Sequence, residues 1–371
     1  MAVRLHRFAQ SEAVGTRSRI STPKSKTLQG MRNYAEHSAA HGVLLAGGAA
    51  FHHRSEFCTD KEYPMERRYV TIDVFTDRTF GGNPVAVVLD AAGLATTQMQ
   101  AIAVEFNYSE TTFILPPKHP DHTAWVRIFT PSSEIPFAGH PNIGTAFALG
   151  TLIADRNERI PERFVFEEEA GLVPVTLMQE NRVVIGAELL APEPLSRRAQ
   201  ITRESAAACL SLTAEDIRID EHEPQVLSVG LPFLVVELAS RDTLRRARPN
   251  RSAYDRVLPL DGARSVYAYT RGTAEQPSEA GPDIHARMFT PRMTEDPASG
   301  SATAATAALL AEISDFPDGA LILRFAQGVD MGRSSLLVAR VLKRAGTARS
   351  VYVGGRCVKV MQGSLFLPGA T

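Results

Sequence analysis

Three residues carry the side chains best suited to moving a proton: Glu110, His140 and Asp296. A carboxyl group works as a general acid or base once burial lifts its pKa toward neutrality, and imidazole titrates near there unaided. Glu110 follows Asn107-Tyr108-Ser109, where a helical pattern hands over to a strand, and Phe106, Tyr108, Phe113 and Ile114 are expected to desolvate it. An arbitrary glutamate is most often a solvated surface group, so the neighbours carry this reading. His140 stands in Phe137-Ala138-Gly139-His140-Pro141, and Asp296 in Glu295-Asp296-Pro297-Ala298-Ser299-Gly300-Ser301. Plainer roles are open to both: a histidine that caps its loop, and an N-cap aspartate followed by proline.

The two stretches read as a repeat. His140-Pro141-x-x-Gly144-Thr145-Ala146 aligns with Asp296-Pro297-x-x-Gly300-Ser301-Ala302, an offset of 156 positions. Arg127-Ile128-Phe129-Thr130-Pro131 and Arg287-Met288-Phe289-Thr290-Pro291 lead into them. Gly139, Gly144 and Gly300 read as turn glycines that let backbone N–H groups approach a ligand. Two helix N-termini facing one cleft would offer free N–H groups and positive dipole ends to an anion. Ser301 reads as a hydrogen-bond donor from a helix start. Gln327-Gly328-x-x-Met331-Gly332-Arg333 reads as a structural turn.

Strands and helices must hold these loops. Alternation predicts strands at 69–75, 85–89, 111–115, 125–129, 164–166, 173–177 and 183–185. A helix capped by Thr96 or Thr97 carries Met99, Ile102, Ala103 and Phe106 on one face, and another spans about 142–154. Pro192 and Pro194 mark a boundary. Beyond it come a helix near Arg203, a short one capped by Thr213 and Asp216, and strands at 225–229, 233–236, 266–269, 321–325, 335–341 and 351–353. The class is α+β, with curved mixed sheets, each wrapped around a helix. The chain divides into an extension at 1–67, a first half at 68–190 and a second at 191–371, a return of the last strand to the first half being allowed. The basic, Ser-rich extension reads as a disordered tail or an over-long gene start, with Met65 the biological start, in preference to a targeting segment.

The chain has 371 residues, 40 basic against 41 acidic, and a net charge of −1, a balance that asks for neither nucleic acid nor an anionic membrane. No apolar run approaches the roughly 18 residues of a spanning helix. Cys58, Cys209 and Cys357 are odd in number and far apart, which fits a reducing cytoplasm and neither a disulfide framework nor a zinc site. P-loop, Gly-x-Gly-x-x-Gly and metal-spaced His/Cys motifs are absent, and Ser109 and Ser301 lack a Gly-x-Ser-x-Gly context.

Over residues 68–366 the chain resembles the PhzF family, the phenazine-biosynthesis isomerase and its relatives. The resemblance rests on Asp73-Val74-Phe75-Thr76 with Gly82-Asn83-Pro84, Asn107-Tyr108-Ser109-Glu110-Thr111, the two loops, and Gln327-Gly328 with Met331-Gly332-Arg333. It implies the diaminopimelate epimerase fold, two pseudo-symmetric domains that are each a β-barrel around a central helix, with the site between them. It implies a homodimer and proton transfer without cofactor or metal on a small carboxylate such as trans-2,3-dihydro-3-hydroxyanthranilate. By motif the proton-moving glutamate is Glu110. Gly139, His140, Asp296 and Ser301 carry over as partners that hold substrate or relay protons. Asn142 and Gly300, in the same loops, join Gly139 and Ser301 as substrate-binding positions. Asn142-Ile143 departs from the common Thr-Leu, Ser299 from the usual Thr, and the glycine often seen before Glu-Asp-Pro is missing. These departures leave the acid/base set intact and bear on substrate identity. No cysteine stands in either loop, which disfavours two-thiol racemisation. The other readings are a racemase, epimerase or lyase on another amino-acid-like substrate, and a non-catalytic small-acid binding protein.

Overall fold

The computed structural model describes residues 65–271 and 282–367; residues 1–64 of the extension, Cys58 among them, lie outside these. Strands β1 (Met65–Val74) and β2 (Asn83–Val88) lead to helix α1 (Thr96–Phe106), then β3 (Glu110–Leu115), β4 (Ala124–Phe129) and the two-residue β5 (Glu134–Ile135). Helix α2 (Gly139–Asp155) precedes β6 (Arg163–Glu168), β7 (Gly171–Glu180), β8 (Val183–Leu190) and β9 (Ser196–Gln200). The chain continues through α3 (Arg203–Cys209), β10 (Gln225–Ser228), β11 (Pro232–Glu237), α4 (Arg241–Arg246), α5 (Arg251–Val257), β12 (Val266–Arg271), β13 (Ile284–Phe289) and β14 (Glu295–Asp296). It ends with α6 (Gly300–Ile313), β15 (Gly319–Gln327), β16 (Ser335–Arg344) and the long β17 (Thr347–Leu367).

Backbone ladders close β1-β2-β3-β4-β6-β7-β8-β17 into an eight-stranded barrel, since β17 pairs with both β8 and β1. Helix α2 runs through it and packs against β1, β2, β7 and β8. Ten of its residues, His140 to Ala148 and Gly150, are buried, so its sequence is apolar on every side, as expected of a helix enclosed by sheet. The second set, β9-β10-β11-β12-β13-β15-β16-β17, curves around the equally enclosed α6. Strand β17 serves both: Thr347–Gly354 pairs with β16, and Cys357–Leu367 with β1. The α+β class and the helix-filled sheets hold.

Local expectations needed adjustment. Helix α1 begins at Thr96 after an Ala95 N-cap, and Gln98 Oε1 accepts the Ala95 N–H at 2.9 Å, so neither threonine caps it. Helix α2 starts three residues earlier than the pattern suggested, because Pro141 sits in the first turn, where its missing N–H is not needed. Helices α4 and α5 were not anticipated, although Ser240 and Asn250 cap them by accepting the Thr243 and Ala253 N–H groups. Strand β1 begins at Met65, inside the span first given to the extension.

The repeat is real but its register is corrected. Each copy is a strand with an Arg–Glu pair, a two-residue strand and a helix beginning at glycine. Arg127–Glu134 and Arg287–Glu295 are both bidentate. Gly139 and Gly300 open the two helices, 161 positions apart. On this register His140 matches Ser301, and Ile135 matches Asp296. Matching Pro dipeptides produced the wrong offset. Gly144 lies inside α2, where an added Cβ would meet Val85 Cγ1 at 2.4 Å. It is there for close packing of helix on barrel. None of Gly139, Gly144 and Gly300 has a positive φ.

Candidate active site

Glu110 is the first residue of β3, in register with Val85 of the parallel β2. Alternation puts it on the face of Thr112, whose Oγ1 shares a 2.8 Å hydrogen bond with Thr145 of α2. Phe113 faces the other way, into the cluster beneath α1 that Phe106 also packs against. The desolvation of Glu110 thus comes from the α2 side, and Phe106 and Phe113 contribute elsewhere. Its side chain is 18% exposed, and Oε2 is buried without a hydrogen-bond partner. Burial, and secondarily the charge of Asp296, push its pKa up to about 8. At neutral pH this carboxyl holds its proton.

His140, in the first turn of α2, is 7% exposed. Its Nε2 lies 3.4 Å from Pro84 O, which assigns the ring proton to Nε2. Nδ1 is then the bare nitrogen, and it stands 3.4 Å from Glu110 Oε2. Burial drives the imidazole pKa down to about 4, with the Pro84 contact opposing. The pair is therefore neutral acid against neutral base. The separation is long for a hydrogen bond, as is usual for catalytic contacts without substrate.

Asp296 approaches from the second sheet. Asn83 Nδ2 donates to its Oδ1 at 3.0 Å and to Ala298 O at 2.9 Å, and the Ser299 hydroxyl donates to Oδ2. Burial raises its pKa to about 6 against those two hydrogen bonds, with Glu295 adding to the rise. Asp296 does not cap α6; Ser299 holds the N-cap position. Gln327 braces the loop: its Nε2 donates to Asp296 O at 2.9 Å and Ser299 Oγ at 3.0 Å. Arg333 braces the other side, donating to Asp73 Oδ1, Gly81 O and Gly82 O. Gly328 has a φ of 72°, and a Cβ there would sit 2.4 Å from Arg333 O, so this turn requires glycine. The turn read as merely structural thus holds the site together.

Gly139, Gly300 and Ser301 line one narrow pocket with Phe75, Phe137 and Ile143. Glu110, His140 and Asp296 form a polar cluster outside that lining. The cluster and the pocket meet at the first turn of α2, which gives His140 to one and Gly139 to the other. Asn142 is fully buried, and its Nδ2 donates to Ala138 O at 3.0 Å. It does not line the pocket. Asn83, Gln327, Ser299 and Arg333 were missed as site residues. Among the described residues no group of His, Cys, Asp and Glu is clustered for a metal, and no helix is long and apolar enough to cross a membrane. Cys209 and Cys357 are buried outside both helix starts, and burial pushes their thiols up.

A family model described as phenazine biosynthesis-like protein, PhzC-PhzF, matches residues 72–363. An uncharacterized isomerase of Mesorhizobium japonicum is 38% identical over 308 residues, covering 81% of this chain and 99% of the relative. The trans-2,3-dihydro-3-hydroxyanthranilate isomerase of Pseudomonas chlororaphis is 35% identical over 305 residues, covering 81% and 99%. The crystal structure of a Bacillus anthracis phenazine biosynthesis protein of the PhzF family superposes with a TM-score of 0.71 at 23% identity, covering 82% and 100%, and so shares the fold. The chain belongs to the PhzC-PhzF family of phenazine biosynthesis-like proteins, as one of its isomerases.

Proposed function

We propose that this isomerase moves a proton between two carbons of a small carboxylate such as trans-2,3-dihydro-3-hydroxyanthranilate, with Glu110 as the group that carries it. The carrying observation is the Glu110 carboxyl, whose Oε2 is buried without a hydrogen-bond partner, uncharged at neutral pH and 3.4 Å from an uncharged imidazole. In its ionised form Glu110 takes the proton from an activated C–H. The electron pair shifts along the adjoining π system, and the carboxyl returns the proton at another carbon, so atoms and charge balance. His140 stabilises the carboxyl between the two transfers, and Asp296 raises its basicity. The free N–H groups at the starts of α2 and α6, beside Gly139, Gly300 and Ser301, suit the substrate carboxylate. Asn142 acts in the same region, from behind the helix start. A cytoplasmic homodimer working without a cofactor belongs to the same proposal and rests on the resemblance.

Two-thiol racemisation finds no described thiol at either helix start. Incubation of the protein with the named acid and related amino-acid-like acids in D₂O, followed by NMR, tests the proposal. Isomer formation with deuterium entering at carbon supports it. Deuterium entry with inversion and no isomer indicates an epimerase. Saturable binding with no exchange indicates a binding protein, and overturns it.

A further inference from the structure

A second carboxyl group lies at the rim of the first barrel where α2 begins. Glu168 ends β6. Phe164 and Phe166 of that strand point into the core, and alternation puts Glu168 on their face. Glu167 points the other way, where its oxygens accept the Lys118 and His119 N–H groups and face His122 Nδ1 at 2.8 Å. Glu168 has nothing comparable: both its oxygens are buried and neither has a hydrogen-bond partner. The polar side chain that acts on it is Asn142. Asn142 has its own vacancy. Its Nδ2 is committed to Ala138 O at 3.0 Å, while its Oδ1 is buried without a donor.

As a carboxylate, Glu168 offers only acceptors to a neighbour that also needs a donor. A buried charge with no partner costs several kcal/mol, and groups so placed take up a proton instead. One proton would satisfy both residues. We propose that Glu168 is a positioning residue whose carboxyl O–H donates to Asn142 Oδ1, so that the chain Glu168–Asn142–Ala138 fixes the first turn of α2 and with it Gly139 and His140. The tip of the same hairpin is tied to this segment independently, by the Ala170 N–H on Pro136 O at 3.2 Å. Burial pushes Glu168 up to about 8, in keeping with a retained proton; Asn142 opposes the rise because its amide N–H would favour the ionised carboxyl, whereas the protonated carboxyl turns to Oδ1. The titratable and charged groups on the surrounding elements are His140 of α2, Glu110 of β3, Arg127 of β4 with Glu134 of β5, and the flanking Glu167 and Glu169. Arg127 is engaged by Glu134, and neither it nor any other cation partners Glu168 among the described residues.

Ionisation of Glu168 would withdraw the donor and loosen the helix start. The catalytic consequence rests on the isomerase reading above; the hydrogen bond does not. In full-length protein carrying ¹³C-labelled glutamate carboxyls, the signal lost in Glu168→Gln should titrate in the alkaline range. The Asn142 side-chain amide, identified by its loss in Asn142→Ser, should shift with the same midpoint in the parent and stay still in Glu168→Gln. A Glu168 signal titrating near the ordinary 4.5, or an Asn142 amide that ignores it, overturns the proposal. With trans-2,3-dihydro-3-hydroxyanthranilate in D₂O, the parent rate should pass through a maximum and fall on the alkaline side. Glu168→Gln, which keeps a donor and cannot ionise, should hold its rate at high pH. Glu168→Leu should be slower by about fivefold to tenfold in kcat, the size one net hydrogen bond supports. An unchanged alkaline fall in Glu168→Gln contradicts the positioning role. If no acid exchanges at all, the isomerase reading fails alone and the NMR titration still decides the hydrogen bond.

Discussion

His140 Nδ1 and Glu110 Oε2 stand 3.4 Å apart, and neither group is charged at neutral pH. The pair has the geometry of a salt bridge without its electrostatics. Both residues are desolvated by the same barrel rim, and burial disfavours the charged form of each, raising the acid and lowering the base. Such a pair holds one proton in a site that gains little from fixing it in place, which suits a group that must lend that proton and recover it.

The pH dependence follows from the sign of the Glu110 shift. If Glu110 begins the cycle as the base, only its ionised form reacts. The value of kcat/KM should then climb about tenfold per pH unit below about 8, and in Glu168→Gln, which lacks the alkaline fall ascribed above to Glu168, level off above it. An acid limb near 4.5 would show that the reacting carboxyl is an unburied one.

Stability should move opposite to activity at this residue. Glu110 has a folded pKa raised from 4.5 to about 8, so between those values the unfolded chain loses a proton that the folded chain keeps. The folded state is therefore progressively destabilised as pH rises from 4.5 through 8. Glu110→Gln removes that penalty. It should melt higher than the parent at pH 7, by about 3 kcal/mol at most, with the difference vanishing near pH 4. Paired thermal melts at the two pH values check this.

The corrected repeat register separates two glycines that look alike in sequence. Gly144→Ala drives a methyl to 2.4 Å from Val85 Cγ1 and 3.0 Å from Val74 Cγ2, and should cost about 1–3 kcal/mol. Gly139→Ala meets nothing closer than Leu189 Cδ2 at 4.0 Å and should leave the urea midpoint nearly unchanged. Equal losses in the two variants would restore the turn reading of Gly144.

Arg333→Ala should be among the more damaging single changes. It removes the cation that faces the 4%-exposed Asp73 carboxylate and the donors to Gly81 O and Gly82 O. Loss of one partner of a buried pair typically costs about 3–5 kcal/mol, and the 29% exposure of Arg333 argues for the lower end. Chemical denaturation measures it.

The residues proposed for acid/base work stood out because short motifs carried them: a glutamate at a helix-to-strand junction and two Pro-containing loops. Glu110, His140 and Asp296 do come together, though not as symmetric equivalents. Ile135 holds the place that matches Asp296, because the backbone repeats by its short strand and glycine start, while side-chain identity at Pro dipeptides does not. Asn83 reaches Asp296 across 213 positions and Arg333 reaches Asp73 across 260, separations that no local pattern encodes. Glu168 was passed over for a different reason. It sits in Glu167-Glu168-Glu169, a run that reads as a solvated face, and only strand alternation shows that its middle member turns inward.

The most direct measurement is the rate at which deuterium from D₂O enters carbon in trans-2,3-dihydro-3-hydroxyanthranilate, or in whichever acid the parent protein isomerises, compared between the parent and Glu110→Gln. With Glu110 as the proton carrier, the variant should lose about 10²- to 10⁴-fold in exchange while binding the acid and melting no lower than the parent. Exchange at the parental rate in Glu110→Gln would mean that some other group moves the proton.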